Sequence, residues 1–111
     1  MKKLKPLIPT LREKKRYLVY EIYSNENLTN LKTEILNSIR KFLGSFGLAK
    51  AGIQIVETKN NKGIIRVNNK ELNNLKTALI LTNKINQKDV YIRPIFVTGL
   101  LGKAKIKLGG D

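Results

Sequence analysis

Four short segments of the chain alternate apolar and polar residues, and this pattern predicts four β-strands. They cover residues 16–24, 52–58, 64–68 and 89–98. In the first strand, Leu18, Tyr20 and Ile22 share one face. The last strand contains Pro94, which has no N–H to donate to a neighbouring strand. We therefore expect the last strand to lie at a sheet edge or to be bulged at Pro94.

Two other segments repeat apolar residues every three or four positions, which predicts amphipathic helices. The first begins near Leu28, after residues 25–27 that suit a helix cap, and we expect Gly47 to end it. Its apolar stripe consists of Leu28, Leu31, Ile35, Ile39, Phe42, Leu43 and Phe46. The second helix follows Asn69 and ends near Asn86. Between the second and third strands, residues 59–63 predict a turn, because Asn and Gly tolerate positive φ.

The predicted order of elements is β-α-β-β-α-β, which is typical of an α+β, ferredoxin-like sandwich. In this arrangement, shared by the RNA-recognition motif, an antiparallel four-stranded sheet carries both helices on one face. We expect one domain over residues 1–111, with a basic arm at 1–15, the core at 16–99 and a basic tail at 100–111. The residues predicted on the other face are Tyr17, Val19, Tyr23, Tyr91, Ile95 and Val97, with Phe96 on the helix side. That face is too apolar for water, so the terminal segments or a protein or RNA partner should cover it.

The charge of the chain predicts a partner of opposite charge. Lys and Arg total 22 against 8 acidic residues, a net charge of +14. Such an excess disfavours the compact state through self-repulsion. Nucleic acid is the first expectation and an anionic membrane surface the second. Basic residues are densest in the first sixteen positions, where we expect an arm along phosphates, and they recur in the tail at Lys103, Lys105 and Lys107.

The residue types for protein-based catalysis are scarce. The chain has no Cys and no His, which removes thiolate chemistry and the commonest general base and metal ligand. We therefore expect no catalytic or metal-binding residue. The third predicted strand also lacks the aromatic residues of a base-stacking platform, so recognition of phosphate and shape is favoured. A small ferredoxin-like enzyme or regulatory domain remains an alternative that requires a defined ligand pocket. No membrane helix or signal peptide is predicted, and we expect a cytoplasmic protein.

One segment resembles a known family. Residues 7–17 read Leu-Ile-Pro-Thr-Leu-Arg-Glu-Lys-Lys-Arg-Tyr, and this resembles the opening signature of archaeal ribonuclease P protein component 2. Weaker matches follow in order at residues 63–67, in the helix containing Leu79, and at residues 92–93 and 97–99. That family is related to a subunit of eukaryotic nuclear ribonuclease P and of its relative that processes ribosomal RNA. The chain departs from the family at Gly102, which interrupts an expected continuous basic helix.

The resemblance implies a protein subunit of an RNA enzyme that removes the 5′ leader from precursor tRNA. It implies that the RNA and its bound Mg²⁺ carry the catalysis, and that the protein holds no cofactor. The implied partners are ribonuclease P RNA and component 3, in a heterotetramer centred on a component 2 dimer, with precursor tRNA contacted indirectly. A ribosomal or other structural RNA-binding protein of the same topology is the alternative.

The candidate site residues divide into two groups. The RNA-contact candidates are Arg12, Lys14, Lys15 and Arg16, which match the basic signature of the family, together with the tail residues Lys103, Lys105 and Lys107. The candidates for protein contacts are the apolar residues Val19, Tyr23, Ile95 and Val97.

Overall fold

A computed structural model describes residues 14–25, 28 and 30–109. The strands are β1 (Lys15–Tyr23), β2 (Gln54–Lys59), β3 (Lys62–Asn68), β4 (Lys84–Ile85), β5 (Lys88–Asp89) and β6 (Tyr91–Thr98). The helices are α1 (Leu31–Ala51), α2 (Leu72–Leu81, preceded by the 3₁₀ turn Asn69–Glu71) and α3 (Leu101–Gly109). An antiparallel sheet has the strand order β2-β3-β1-β6. This confirms the predicted ferredoxin-like α+β fold.

Helices α1 and α2 pack on one face of the sheet, which we call the inner face. The alternation predicted for β1 is confirmed, because Leu18, Tyr20 and Ile22 are at most 2% exposed on this face. They meet the buried stripes of the two helices, including Ile35 of α1 and Leu79 of α2. This is the main core of the described protein.

A tyrosine and a glycine pack closely within the inner face. Tyr20 and Gly63 are opposite each other on β1 and β3. A Cβ atom added at Gly63 would lie 2.7 Å from Tyr20 Cε2. The Tyr20 hydroxyl is buried and no described residue hydrogen-bonds to it, and this burial raises the pKa of Tyr20. Glycine is therefore required at position 63 by close approach of the tyrosine ring.

Helix α1 runs past its predicted end. Gly52 caps it, with φ 65°, and its N–H donates to Ala49 O at 3.1 Å, so Gly47 does not end the helix. Gly44 has φ 75° and ψ 168° and kinks the helix. The prediction that Phe42 and Phe46 belong to the core stripe is wrong, since they are 47% and 84% exposed. Phe46 lies beyond the kink, so a regular helical period counted through Gly44 places it on the wrong side; the kink does not explain Phe42, which precedes it.

A small hairpin replaces the predicted end of the second helix. Helix α2 stops at Leu81, and β4 and β5 pair around Asn86 and Gln87. Both turn residues have positive φ, 55° and 67°, as the common two-residue hairpin turns require. Ile85 of β4 is 2% exposed and joins the inner core.

Strand β6 lies at the sheet edge and is also bulged, whereas Pro94 predicted one or the other. In the pairing with β1, Val19 is opposite Phe96 and Tyr20 is opposite Pro94, so Ile95 is the extra residue. The bulge reverses the alternation that follows it. Phe96 packs on the other face of the sheet and Val97 packs against the inner core. The predicted faces of these two residues are therefore wrong.

The segment predicted as a basic tail forms α3, which lies on the second face of the sheet, here called the outer face. Helix α3 is continuous through Gly102 in its first turn. Its buried residues Ala104 and Leu108 pack with Val19 and Ile64. The outer face was expected to be covered by a terminal segment, a protein partner or RNA, and in this structure a terminal segment covers it.

Candidate nucleic-acid interface

Helix α3 presents the three tail lysines on an ordered surface. Lys103, Lys105 and Lys107 are exposed, because the opposite side of the helix buries Ala104 and Leu108. The Lys107 ammonium lies 5.6 Å from the centroid of the Phe96 ring, within the range of a cation–π contact. No residue of α3 is acidic. The exposed side of this helix therefore carries positive charge alone.

A second basic group lies at the start of β1. Lys14 and Lys15 are exposed and Arg16 is partly buried. The Asn69 N–H donates to Lys14 O at 2.8 Å, and Lys15 Nζ donates to Asn68 Oδ1. These bonds hold the start of β1 against the end of β3. Arg12, the remaining candidate of this group, lies outside the described residues.

The two basic groups meet at one end of the sheet. Tyr17 of β1 pairs with Thr98 of β6, and α3 begins shortly after Thr98. Arg16 lies beside Gly99, where an added Cβ would be 3.1 Å from Arg16 Nη1. The end of the sheet that carries Lys15 and Arg16 is therefore also the end from which α3 crosses the outer face.

The described acidic residues do not neutralise this surface. The ion pair found between described side chains joins Lys84 and Asp89 at 2.6 Å, on the β4–β5 hairpin. Exposed Lys and Arg side chains of this kind suit contacts with a phosphate backbone, which position a nucleic acid without reading its sequence. The geometry therefore suits phosphate binding better than base readout.

Arg66 of β3 was not among the predicted site residues. It is opposite Tyr17 on β1 and Gln54 on β2. Its side chain is partly exposed, but its Nε is buried and has no hydrogen-bond partner among the described residues. The strand pattern places Arg66 on the outer face, but the partial burial follows from the tertiary structure.

The candidates for protein contacts separate in the structure. Val19 lies on the outer face, as predicted, and is fully buried under α3, whereas Val97 packs against the inner core, so only the predicted face of Val97 is wrong. Ile95 is partly buried beside Phe96. Tyr23 alone of the four is an exposed large side chain, 41% accessible. A role of any of these residues in protein contacts stays a prediction.

Tyr23 forms an exposed aromatic pair at the opposite end of the sheet from Lys15. Its ring stacks on that of Tyr91, with centroids 5.8 Å apart. The Tyr23 hydroxyl donates to Glu21 Oε1 at 2.8 Å, and this hydrogen bond raises the pKa of Tyr23. The carboxylate beside this pair gives it a different character from helix α3, which has no acidic residue.

The described residues also form a cleft, the kind of feature that a ligand-binding function would require. A cleft of about 640 Å³ lies between the end of β1 and the start of α1, lined by Ile22, Tyr23, Ser24, Asn25, Leu28, Leu31, Asn60 and Asn61. Among the described residues, its lining carries no carboxylate and no basic side chain. Within the described ranges, no group of His, Cys, Asp or Glu is placed to hold a metal ion. No described helix is long and apolar enough to cross a membrane.

The fold and surface define a small basic α+β protein in which a lysine-bearing helix covers the second face of a ferredoxin-like sheet. The chain belongs to the Rpp14/Pop5 family, whose sequence profile matches residues 16–108. This confirms the predicted family and disfavours the alternative of an unrelated structural RNA-binding protein.

Relatives of similar length share the sequence over most of the chain. Ribonuclease P protein component 2 of Methanocaldococcus jannaschii is 40% identical over 96% of this chain and 81% of its own. The protein of the same name from Pyrococcus abyssi is 36% identical over 95% of this chain and 92% of its own. A chain in the cryo-EM structure of yeast ribonuclease MRP has a TM-score of 0.57 and 13% identity, over 80% of this chain and 76% of its own. That likeness supports the fold.

Proposed function

We propose that the chain is a non-catalytic protein subunit of ribonuclease P that assists the RNA in removing the 5′ leader from precursor tRNA. The observation that carries the proposal is the acid-free surface of α3, continuous with Lys15 and Arg16 at one end of the sheet. The enzyme in the proposal is inferred from relatives that are named ribonuclease P protein component 2. The absence of Cys and His from the sequence fits a subunit whose RNA carries the chemistry.

The mechanism is electrostatic. Folding a catalytic RNA brings phosphates together, and each phosphate that a Lys or Arg neutralises lowers that repulsion and releases counterions. The protein thereby reduces the amount of Mg²⁺ that the RNA requires to reach its active geometry. The Mg²⁺ ions bind to the RNA, and the protein binds no cofactor of its own.

The protein partners in this proposal are component 3 and a second copy of the chain, together forming a heterotetramer. Large apolar side chains exposed on the described surface support protein contacts. Phe46, 84% exposed beyond the α1 kink, and Phe42 are accessible on the helix layer, and Tyr23 is accessible on the sheet. Phe42 and Phe46 are better candidates than Val19, which is fully buried, or Val97, which is partly buried against the inner core.

Reconstitution of the enzyme tests the proposal. The cognate ribonuclease P RNA and component 3 are assayed with and without this protein, and precursor tRNA cleavage is followed across a Mg²⁺ titration. We expect omission to slow cleavage at low Mg²⁺ and to shift the Mg²⁺ requirement upward. Identical rates and identical Mg²⁺ curves with and without the protein would show that the assignment is wrong.

A variant of the basic N-terminal cluster tests whether these side chains contact the RNA. Changing Arg12, Lys14, Lys15 and Arg16 together to Ala should weaken RNA binding while thermal unfolding stays near that of the wild type. Early unfolding of this variant would instead show that the segment is structural, because Lys15 also donates to Asn68.

A further inference from the structure

A row of polar side chains crosses the outer face at the end of the sheet where α3 begins. Directly opposite residues on neighbouring strands point to the same side of a sheet. The pairing Gln54–Arg66–Tyr17–Thr98 therefore forms one row over β2, β3, β1 and β6. We call these four residues the polar row. Arg66 is its one permanently charged member.

No described residue supplies Arg66 with a counter-charge. Its Nε is inaccessible to solvent and has no hydrogen-bond partner among the described residues, and no described acid forms an ion pair with it. Glu57, farther along β2, is not in the row and does not reach the guanidinium. A partly buried charge that lacks a partner is unfavourable, and binding of an anion removes that cost.

The surroundings of Arg66 add positive charge. Arg16 lies next to Tyr17 on β1, beside Gly99, and α3 packs against β3 with its lysines exposed. The Arg66 side chain is partly exposed, and a guanidinium is suited to paired hydrogen bonds with a phosphate. The row also supplies an amide and hydroxyl groups as further hydrogen-bonding side chains.

We infer that Arg66 is the inner contact for one RNA phosphate, bound at the polar row between β3 and the start of α3. This inference rests on the proposed function and assigns a specific site within it. Lysines on the exposed side of α3 attract the RNA over distance, whereas the partly buried guanidinium fixes the position of one phosphate. A partner-protein carboxylate and a free phosphate ion are the competing occupants.

The test compares Arg66→Met with Arg40→Met in the full-length chain. Met keeps much of the apolar stem of Arg and removes the charge. Arg40 is an exposed control on α1, on the other side of the sheet, with Nη1 donating to Asn37 Oδ1 at 3.0 Å. Affinity for the cognate ribonuclease P RNA is measured by fluorescence anisotropy over a range of salt concentrations, and thermal unfolding is followed without RNA.

We expect Arg66→Met to weaken RNA binding about tenfold or more, in the range of a charge-assisted hydrogen bond. The slope of log affinity against log salt should fall by roughly 0.7 to 0.9, the loss of one neutralised phosphate. Arg40→Met should bind nearly as the wild type does. The free Arg66→Met protein should unfold at the same or a higher temperature, because an unpaired charge has been removed.

Several outcomes would overturn the inference. One is wild-type RNA affinity in Arg66→Met, and another is an equal loss of RNA affinity in Arg40→Met. A loss of affinity that appears only when component 3 is present would indicate that a protein carboxylate binds Arg66. Stabilisation by inorganic phosphate that depends on Arg66, without an effect on RNA binding, would indicate a free anion. Wild-type protein that fails to affect cleavage would contradict the proposed function, a result distinct from all of these.

A conservative variant keeps the inference testable if Arg66→Met does not fold stably. If Arg66→Met unfolds early, Arg66→Lys is tested in its place, since Lys keeps the charge and the stem but loses the guanidinium geometry. The inference then requires a weaker affinity with a nearly unchanged salt slope. Wild-type affinity of Arg66→Lys would overturn it.

Discussion

The inner and outer faces of the sheet are built from alternate residues of the same strands, yet they are covered by unequal layers. On the inner face, α1 and α2 have 21 and 10 residues and enclose Ile35, Leu75 and Leu79 completely. On the outer face, α3 has 9 residues and buries Ala104 and Leu108. The inner face therefore holds most of the apolar area that stabilises the fold.

The thinner helical layer on the outer face leaves more of its surface exposed to solvent, where the proposed function places RNA contacts. A thin helix over a sheet leaves most of its own surface in water, and in α3 that surface carries lysines without an acid. Positive charge is tolerated there because it is solvated, whereas the inner face has no room for it. Under the proposed function, stability and RNA affinity lie on opposite faces of the sheet, and we expect that each can be changed separately.

The largest expected effect on stability comes from a cavity in the inner core. Ile35→Ala should lower the free energy of unfolding by about 2–5 kcal/mol, because Ile35 is fully buried between α1 and the sheet. Urea denaturation measures the loss. A loss below about 1 kcal/mol would show that the inner face does not dominate stability.

A smaller loss of unfolding free energy is expected where a methyl group is added to the core rather than removed from it. Gly63→Ala places a Cβ against the ring of Tyr20 and should cost about 1–3 kcal/mol through overpacking. Gly102→Ala is the matched control, because no atom lies within 4 Å of the added Cβ and the position is helical. That control should be neutral or stabilising by up to about 1 kcal/mol. Thermal unfolding distinguishes the two variants.

The layers of the fold were predictable from local patterns. The alternation in β1 identified Leu18, Tyr20 and Ile22 as core residues, and the order of elements gave the topology of the sheet. These features depend on a repeat of two residues, which a single sequence displays directly. They hold wherever the backbone stays regular.

The errors occur where the backbone departs from a regular repeat. The kink at Gly44, the bulge at Ile95 and the turn at Asn86 each reset the period. As a result, Phe46 and Val97 were assigned to the wrong environments. Arg66 was missed as a site residue for another reason, since its partial burial arises in a sheet where β1 and β2 pair on both sides of β3. Tertiary contacts of this kind leave no periodic signal.

A change at the outer face tests how much α3 depends on its few buried residues. Leu108→Ala should cost about 1–2 kcal/mol, less than an enclosed leucine, because the site lies at the helix end and can relax. Amide hydrogens of α3 should also exchange faster, while those of α1 should change less. Ile106→Ala, on a side chain 73% exposed in the same helix, is the control and should change stability by less than about 0.5 kcal/mol. Equal losses at both positions would contradict the packing of α3 on the sheet.

The smallest stability change is expected from the charges themselves. Replacing Lys103, Lys105 and Lys107 together with Gln should alter the free energy of unfolding by no more than about 0.5 kcal/mol for each exposed site. RNA affinity should fall, and the salt slope should decrease by roughly 2 to 3 if all three lysines neutralise phosphates. The matched control replaces Lys32, Lys41 and Lys76 of the helix layer with Gln, which removes the same charge from the opposite side of the protein.

The two triple variants separate location from net charge. Both lower the total charge equally, so a general electrostatic attraction predicts similar losses of affinity in the two proteins. Binding through the outer face predicts a clearly larger loss in the α3 variant, with unfolding curves that remain close to the wild type in both. If the helix-layer variant loses as much affinity as the α3 variant, the outer face is not the RNA-binding surface, even though its charge and the family relationship are unchanged.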